Sequence, residues 1–173
     1  MEVKGVHYGI GVEYALHCLT YLIDLPNGAH IGIKELATYQ GVSETYLSKT
    51  FTKLAKAGIV RSIPGVRGGY QLARSPQNIS FWDVVEAIEG PSTMFRCTEV
   101  RQNCVLLKGK EIPDDILCAP CMISLVMQGA EEQMRTYLKG KTLAWLHGVL
   151  KEKIPQERQE ATSRWFRQAL IQR

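Results

Sequence analysis

Apolar residues recur at three- and four-residue steps through Val12, Ala15, Leu16, Leu19, Leu22 and Ile23, the spacing of one helical face. Pro26-Asn27-Gly28 interrupts that run, so a first amphipathic helix is predicted over 12–25. Ile33, Leu36 and Ala37 predict a short second helix over 33–39. Gly41 then supplies a turn, and Ser43 can cap a third helix from Glu44 to Ala57, with Leu47, Phe51 and Leu54 facing inward. Helix, short turn and capped helix together form a helix-turn-helix pattern. Gly58 closes the third helix, and the segments Ile59–Ser62 and Tyr70–Ala73 flank Pro64-Gly65-Val66-Arg67-Gly68-Gly69. This is the pattern of a two-stranded wing, with Tyr70 packed beneath it. Ser80 followed by Asp83 announces another capped helix, running to Glu89 and stopped by Gly90-Pro91.

Farther along, Met122, Leu125, Val126, Gly129, Ala130, Met134, Tyr137 and Leu138 trace one stripe over a long helix. The small residues Gly129 and Ala130 favour close approach of a second copy, so a two-fold homodimer is expected. Leu143, Leu146, Val149 and Leu150 predict a shorter helix, and Ala161, Trp165, Ala169 and Leu170 a last one. Both are expected to brace the dimer. The predicted fold is mainly α. It comprises a winged helix-turn-helix DNA-binding domain (1–90), a cysteine-rich cofactor or sensor loop (91–121), and a long dimerisation helix with C-terminal helices (122–173).

With 173 residues the chain can bury one good core with an appended arm. Net charge is only +4, but its distribution is uneven. Between Thr45 and Trp82 there is no Asp or Glu, whereas Lys49, Lys53, Lys56, Arg61, Arg67 and Arg74 all occur. A face of that sign neutralises phosphates and releases counterions, which makes double-stranded DNA the natural partner. In a helix-turn-helix the third helix enters the major groove, so Ser43, Glu44, Thr45, Tyr46, Ser48 and Lys49 are candidate contacts. Lys49 and Lys53 suit phosphates, and Arg67 at the wing tip suits a narrow minor groove. No apolar run approaches the roughly 18 to 20 residues that span a bilayer. The start, Met1 to Gly9, lacks the charged and apolar regions of a signal peptide. A soluble, cytoplasmic chain without a membrane partner is therefore expected. There is no P-loop, dinucleotide glycine pattern, nucleophile elbow or paired-histidine zinc motif, and His7, His30 and His147 stand apart. An enzyme with a small-molecule substrate is not expected.

Four of the five cysteines, Cys97, Cys104, Cys118 and Cys121, fall in the polar loop behind this reader. Thiolates hold iron-sulfur clusters or zinc. Cys118-Ala119-Pro120-Cys121 is a close pair that Cys97 and Cys104 could complete to a four-thiolate zinc site, and a thiol switch without metal is a further alternative. Cys18, alone on an apolar helix, reads as core.

Three runs together carry a resemblance: Ser43-Glu44-Thr45-Tyr46-Leu47-Ser48-Lys49, Gly68-Gly69-Tyr70-Gln71-Leu72-Ala73 and Ile79-Ser80-Phe81-Trp82-Asp83-Val84-Val85-Glu86-Ala87-Ile88-Glu89-Gly90. They resemble the winged-helix repressors typified by IscR, NsrR and RsrR, from about residue 5 to residue 150. The resemblance implies a homodimeric bacterial transcription regulator, a repressor on a palindromic operator; many such regulators sense redox state, nitric oxide or iron supply through an iron-sulfur cluster. The cysteine spacing departs from the three compact ligands common in cluster-binding members. Gly11-Val12-Glu13-Tyr14-Ala15-Leu16-His17-Cys18 and Cys97-Thr98-Glu99-Val100-Arg101-Gln102 instead look like the RsrR branch. That branch implies a two-iron, two-sulfur cluster between subunits, held by Cys97 and Cys121 of one and by Glu13 and His17 of the other. Cys104 and Cys118 remain spectators, a redox-active pair or alternative ligands. Glu13 and His17, four apart, share one helical face, as an ordinary surface pair also would.

Overall fold

Helix α1 spans Ile10–Thr20 in a computed structural model that describes residues 8–26, 28–91, 93–98, 100, 104–105, 111, 114 and 120–171. His7, Cys118, Glu99, Arg101 and Gln102 lie outside the described residues. α1 begins two residues earlier and ends five residues earlier than the apolar stripe predicts. The reason is a tightening of the spiral: Tyr21, Leu22 and Ile23 donate to the carbonyls of Cys18, Leu19 and Thr20, three residues back. Leu22 stays buried in that turn, so the apolar period outlives the α-helix. Gly9 brings no side-chain cap to the other end. The Glu89 carboxylate accepts the Gly9 N–H at 2.8 Å and places an anion at the positive end of the helix.

The predicted reader follows. Helix α2 is Ile33–Gln40 and α3 is Glu44–Lys56, joined through Gly41, whose φ of 69° is a conformation glycine adopts without strain. Ser43 caps α3 by accepting the Tyr46 N–H. Strands β1 (Val60–Ile63) and β2 (Gly69–Leu72) pair antiparallel, Val60 opposite Leu72 and Ile63 opposite Gly69. Ile31 joins the edge of β2 by exchanging both backbone hydrogen bonds with Tyr70. Gly68 and Gly69 are needed for this closeness: a Cβ on either would overlap a neighbouring carbonyl, Ile63 for the first and Ile31 for the second. Helix α4 (Phe81–Glu89) opens on the complete Ser80–Asp83 capping box.

Three more helices complete the described elements: α5 (Met122–Lys139), α6 (Leu143–Lys153) and α7 (Gln156–Ile171). The chain divides into two units, residues 1–91 with 138–173, and residues 92–137. In the first unit Leu19, Ile31, Leu36, Leu47, Phe51, Leu54, Ile59, Ile79 and Val84 form a fully buried core. Tyr70 packs edge-on to Phe51 at 5.0 Å, beneath the wing as expected. Helices α6 and α7 add to this core from their own chain. Leu143 is fully buried, its N–H donates to Ile79, and Lys141 O accepts from Phe81. Phe166, only 5% exposed, lies 5.1 Å from the Tyr21 ring and 4.8 Å from Tyr39. The last helix thus completes the reader's own core, a role the stripe at Ala161, Trp165, Ala169 and Leu170 does not announce.

Candidate nucleic-acid interface and cysteine segment

The outer face of α3 carries Glu44, Thr45, Ser48, Lys49, Thr52 and Lys56, all exposed, while Leu47, Phe51 and Leu54 point into the core. The predicted contact residues divide into three sorts. Thr45, Ser48 and Lys49 stand on the open face with Glu44. Ser43 and Tyr46 have structural duties: the Ser43 hydroxyl holds the helix cap, and Tyr46 lies edge-on to Tyr14 of α1 at 5.7 Å. The Tyr46 hydroxyl also sits 3.1 Å from where a Cβ on Gly11 would stand, so the start of α1 bears directly on α3. Lys53 is the third sort. Its ammonium donates to the Ile88 carbonyl at 2.6 Å, adding a cation at the negative end of α4.

The remaining basic residues are engaged to different degrees. Arg74 lies 3.6 Å from Asp83 of the capping box. The side chains of Lys49, Lys56 and Arg67 have no partner among the described residues and can meet phosphate. Arg67 occupies the wing tip beside the fully exposed Val66, and its carbonyl accepts from His30 Nε2 at 2.8 Å. His30 therefore pins the wing to the approach to α2, and His147 pairs with Asp24 at 2.7 Å; neither histidine stands apart, as their isolation along the chain suggests.

On α1, Glu13 and His17 are both exposed, one in the first turn and one in the last. Their side chains have no hydrogen-bond or ion-pair partner among the described residues, so a carboxylate and an imidazole four residues apart are open to a ligand. Cys18 next to them is fully buried, and burial pushes its thiol up to about 12, far from the thiolate a metal requires. In the second unit Cys97 and Cys121 are half-buried and Cys104 is exposed. The start of this segment is tied to α5 by Glu131, a carboxylate only 7% exposed. It accepts the Met94 N–H at 3.1 Å and a hydrogen bond from the Arg135 guanidinium at 2.6 Å. A buried glutamate on a helix has no sequence signature apart from its i, i+4 arginine, and the sequence reading missed it. Among the described residues no three His, Cys, Asp or Glu converge as a metal site within one chain. Nor is any described helix long and apolar enough to cross a membrane.

Comparison with known proteins matches residues 9–148 to the Rrf2 family, described as an iron-dependent transcriptional regulator. A protein of Aquifex aeolicus named as an HTH-type transcriptional regulator is 30% identical over 134 residues, covering 76% of this chain and 85% of its own. The fold is similar to IscR of T. potens, with a TM-score of 0.62, 22% identity, and coverage of 90% of this chain and 96% of the other. It is also similar to CymR, the global cysteine regulator of B. subtilis, with a TM-score of 0.58, 23% identity, and coverage of 84% and 98%.

Proposed function

From the premise that this chain belongs to the Rrf2 family of DNA-binding transcriptional regulators, we propose that it acts as a homodimeric repressor on a palindromic operator, switched by an inter-subunit two-iron, two-sulfur cluster. In this reading Cys97 and Cys121 of one protomer and Glu13 and His17 of its partner hold the cluster. Thr45, Ser48 and Lys49 reach the major groove with Glu44, and Arg67 reaches the minor groove. Ser43 and Tyr46 hold the recognition helix, and Lys53 ties it to the end of α4. The observation that carries the proposal is the pair Glu13 and His17. Both are open and uncommitted, on the helix whose start presses on Tyr46 of the recognition helix.

A bound cluster would supply one-electron redox chemistry, and mixed ligation by imidazole and carboxylate would raise its potential above that of an all-thiolate site. His17 contributes a ring that can take up a proton at the nitrogen it would otherwise offer as a donor. An α1 anchored through Glu13 and His17 holds Gly11 and Tyr14 against Tyr46, and an α1 released at His17 is free to tilt. The recognition helix moves with it, and operator binding changes. Dimerisation rests on the exposed apolar side chains of α5, which include Met122, Ile123, Leu125 and Val126. Cytoplasmic localisation accords with a DNA partner and with ligand thiols kept reduced.

The test is an anaerobic visible spectrum with iron and sulfide analysis, followed by mobility shifts before and after dithionite on an operator selected from a random-sequence pool. Cys97→Ala or Cys121→Ala is expected to give colourless protein, while Cys104→Ala keeps the cluster spectrum. Full colour in both of the first variants overturns the ligand choice. A thiol switch, or a zinc site built on the cysteines, is the second reading, favoured by the exposed Cys104. Zinc without iron, or reversible thiol oxidation without any metal, selects it.

A further inference from the structure

The family match ends at residue 148, and α7 lies wholly beyond it. Helix α7 nevertheless walls a cavity of about 490 Å³ at the end of α1 and along α6, within the size range of small-molecule sites. Tyr21, Tyr39, Leu150 and Ile154 give it an apolar side, and Lys151, Arg158 and Arg167 a cationic one. The two carboxylates in its lining are already satisfied. Asp24 is held by His147 at 2.7 Å and Lys151 at 3.6 Å, and Glu160 accepts from Gln156. The Arg158 side chain has no partner among the described residues, and Arg167 commits only its Nε, to the Ser163 carbonyl. Each of these guanidinium forks, nine residues apart on α7, is thus left able to hold a carboxylate, its preferred bidentate partner.

We propose that this cavity binds a small amphipathic carboxylate, with its ring or branched chain against Tyr21 and Tyr39 and its anion at the cationic side that Arg158 and Arg167 supply, and that occupancy is communicated to the DNA reader. The route is short. The Tyr21 hydroxyl donates to Gln40 at 2.8 Å, at the last residue of α2, and the Tyr39 and Thr162 hydroxyls lie 2.6 Å apart, joining α2 to α7. A ligand between α7 and these tyrosines shifts the end of α2, from which Gly41 leads into the recognition helix. The proposal does not depend on a cluster, so either outcome of the spectral test leaves it standing.

Calorimetric titration of the full chain with benzoate, phenylacetate and indole-3-acetate tests it, with benzamide and benzylamine as neutral and cationic controls. The expected result is saturable binding of the carboxylates alone. Combining Arg158→Gln with Arg167→Gln should weaken binding by about tenfold or more, from the loss of charge-assisted hydrogen bonds. Arg164→Gln, on the same helix but outside the cavity, should leave it unchanged. Operator affinity should shift at saturation. The site is overturned if no carboxylate binds saturably, if the amide or amine binds as well, or if Arg164→Gln weakens binding equally. Unchanged operator affinity at saturation overturns the communication.

Discussion

Lys49 and Lys53, four residues apart on α3, look interchangeable in the sequence, yet one faces solvent and the other closes α4 through the Ile88 carbonyl. Lys53→Met is expected to destabilise the fold by about 1 kcal/mol through the lost cap, measured by urea unfolding. Lys49→Met should leave stability unchanged and lower the log–log salt slope of operator binding by about one. Cys18 makes a different prediction. Burial raises its thiol from 9.0 to about 12. Burial, then the neighbouring Tyr39 and Cys18, raise the Tyr21 phenol from 10.0 to about 12. Below pH 9 both groups are protonated in the folded and unfolded chain alike, so their contribution is fully present. As pH rises from 9 towards 12 the unfolded chain loses protons that the folded chain keeps, and stability falls. In Cys18→Ala the fall should begin about one pH unit later, when the tyrosine titrates, as pH-dependent unfolding would show.

Among the elements, the capped ones were the most legible. Ser43 and Ser80 mark the starts of α3 and α4 because their side-chain acceptors satisfy backbone donors a few residues along, a purely local transaction. The wing was equally readable through its glycines. The end of α1 was not, since a 3₁₀-like turn that still buries Leu22 keeps the apolar rhythm of an α-helix. Nor was the place of α7, because what decides it is a long-range stack of Phe166 on Tyr21 and Tyr39. At the candidate site, Glu13 and His17 were visible as an i, i+4 pair, whereas the grip of Glu131 on Met94 depends on contacts across 37 residues. Phe166→Ala should cost about 3 kcal/mol in chemical denaturation, the range for an aromatic truncated in a core. An unchanged midpoint would show α7 to be detached from the reader.

At the scale of the whole molecule, the unusual feature is α5, where Ile123 and Val126 are 68% and 67% exposed. Apolar side chains left this open on a long helix mark a surface awaiting a partner. If the proposed homodimer forms through this face, Ile123→Glu combined with Val126→Glu is expected to give a monomer, read by light scattering, and to weaken operator binding. A dimer that persists with both charges in place would rule out this face as the proposed interface. The return of α7 onto α1 and α2 has a consequence for biosynthesis. Synthesis proceeds from the amino end, and early domains ordinarily fold while later ones are still being made. Here the aromatic that seals the DNA-reading module is Phe166, on a helix translated after the rest of that module. A nascent chain that has not yet reached α7 therefore holds an unsealed module, and maturation into a competent regulator waits for that helix.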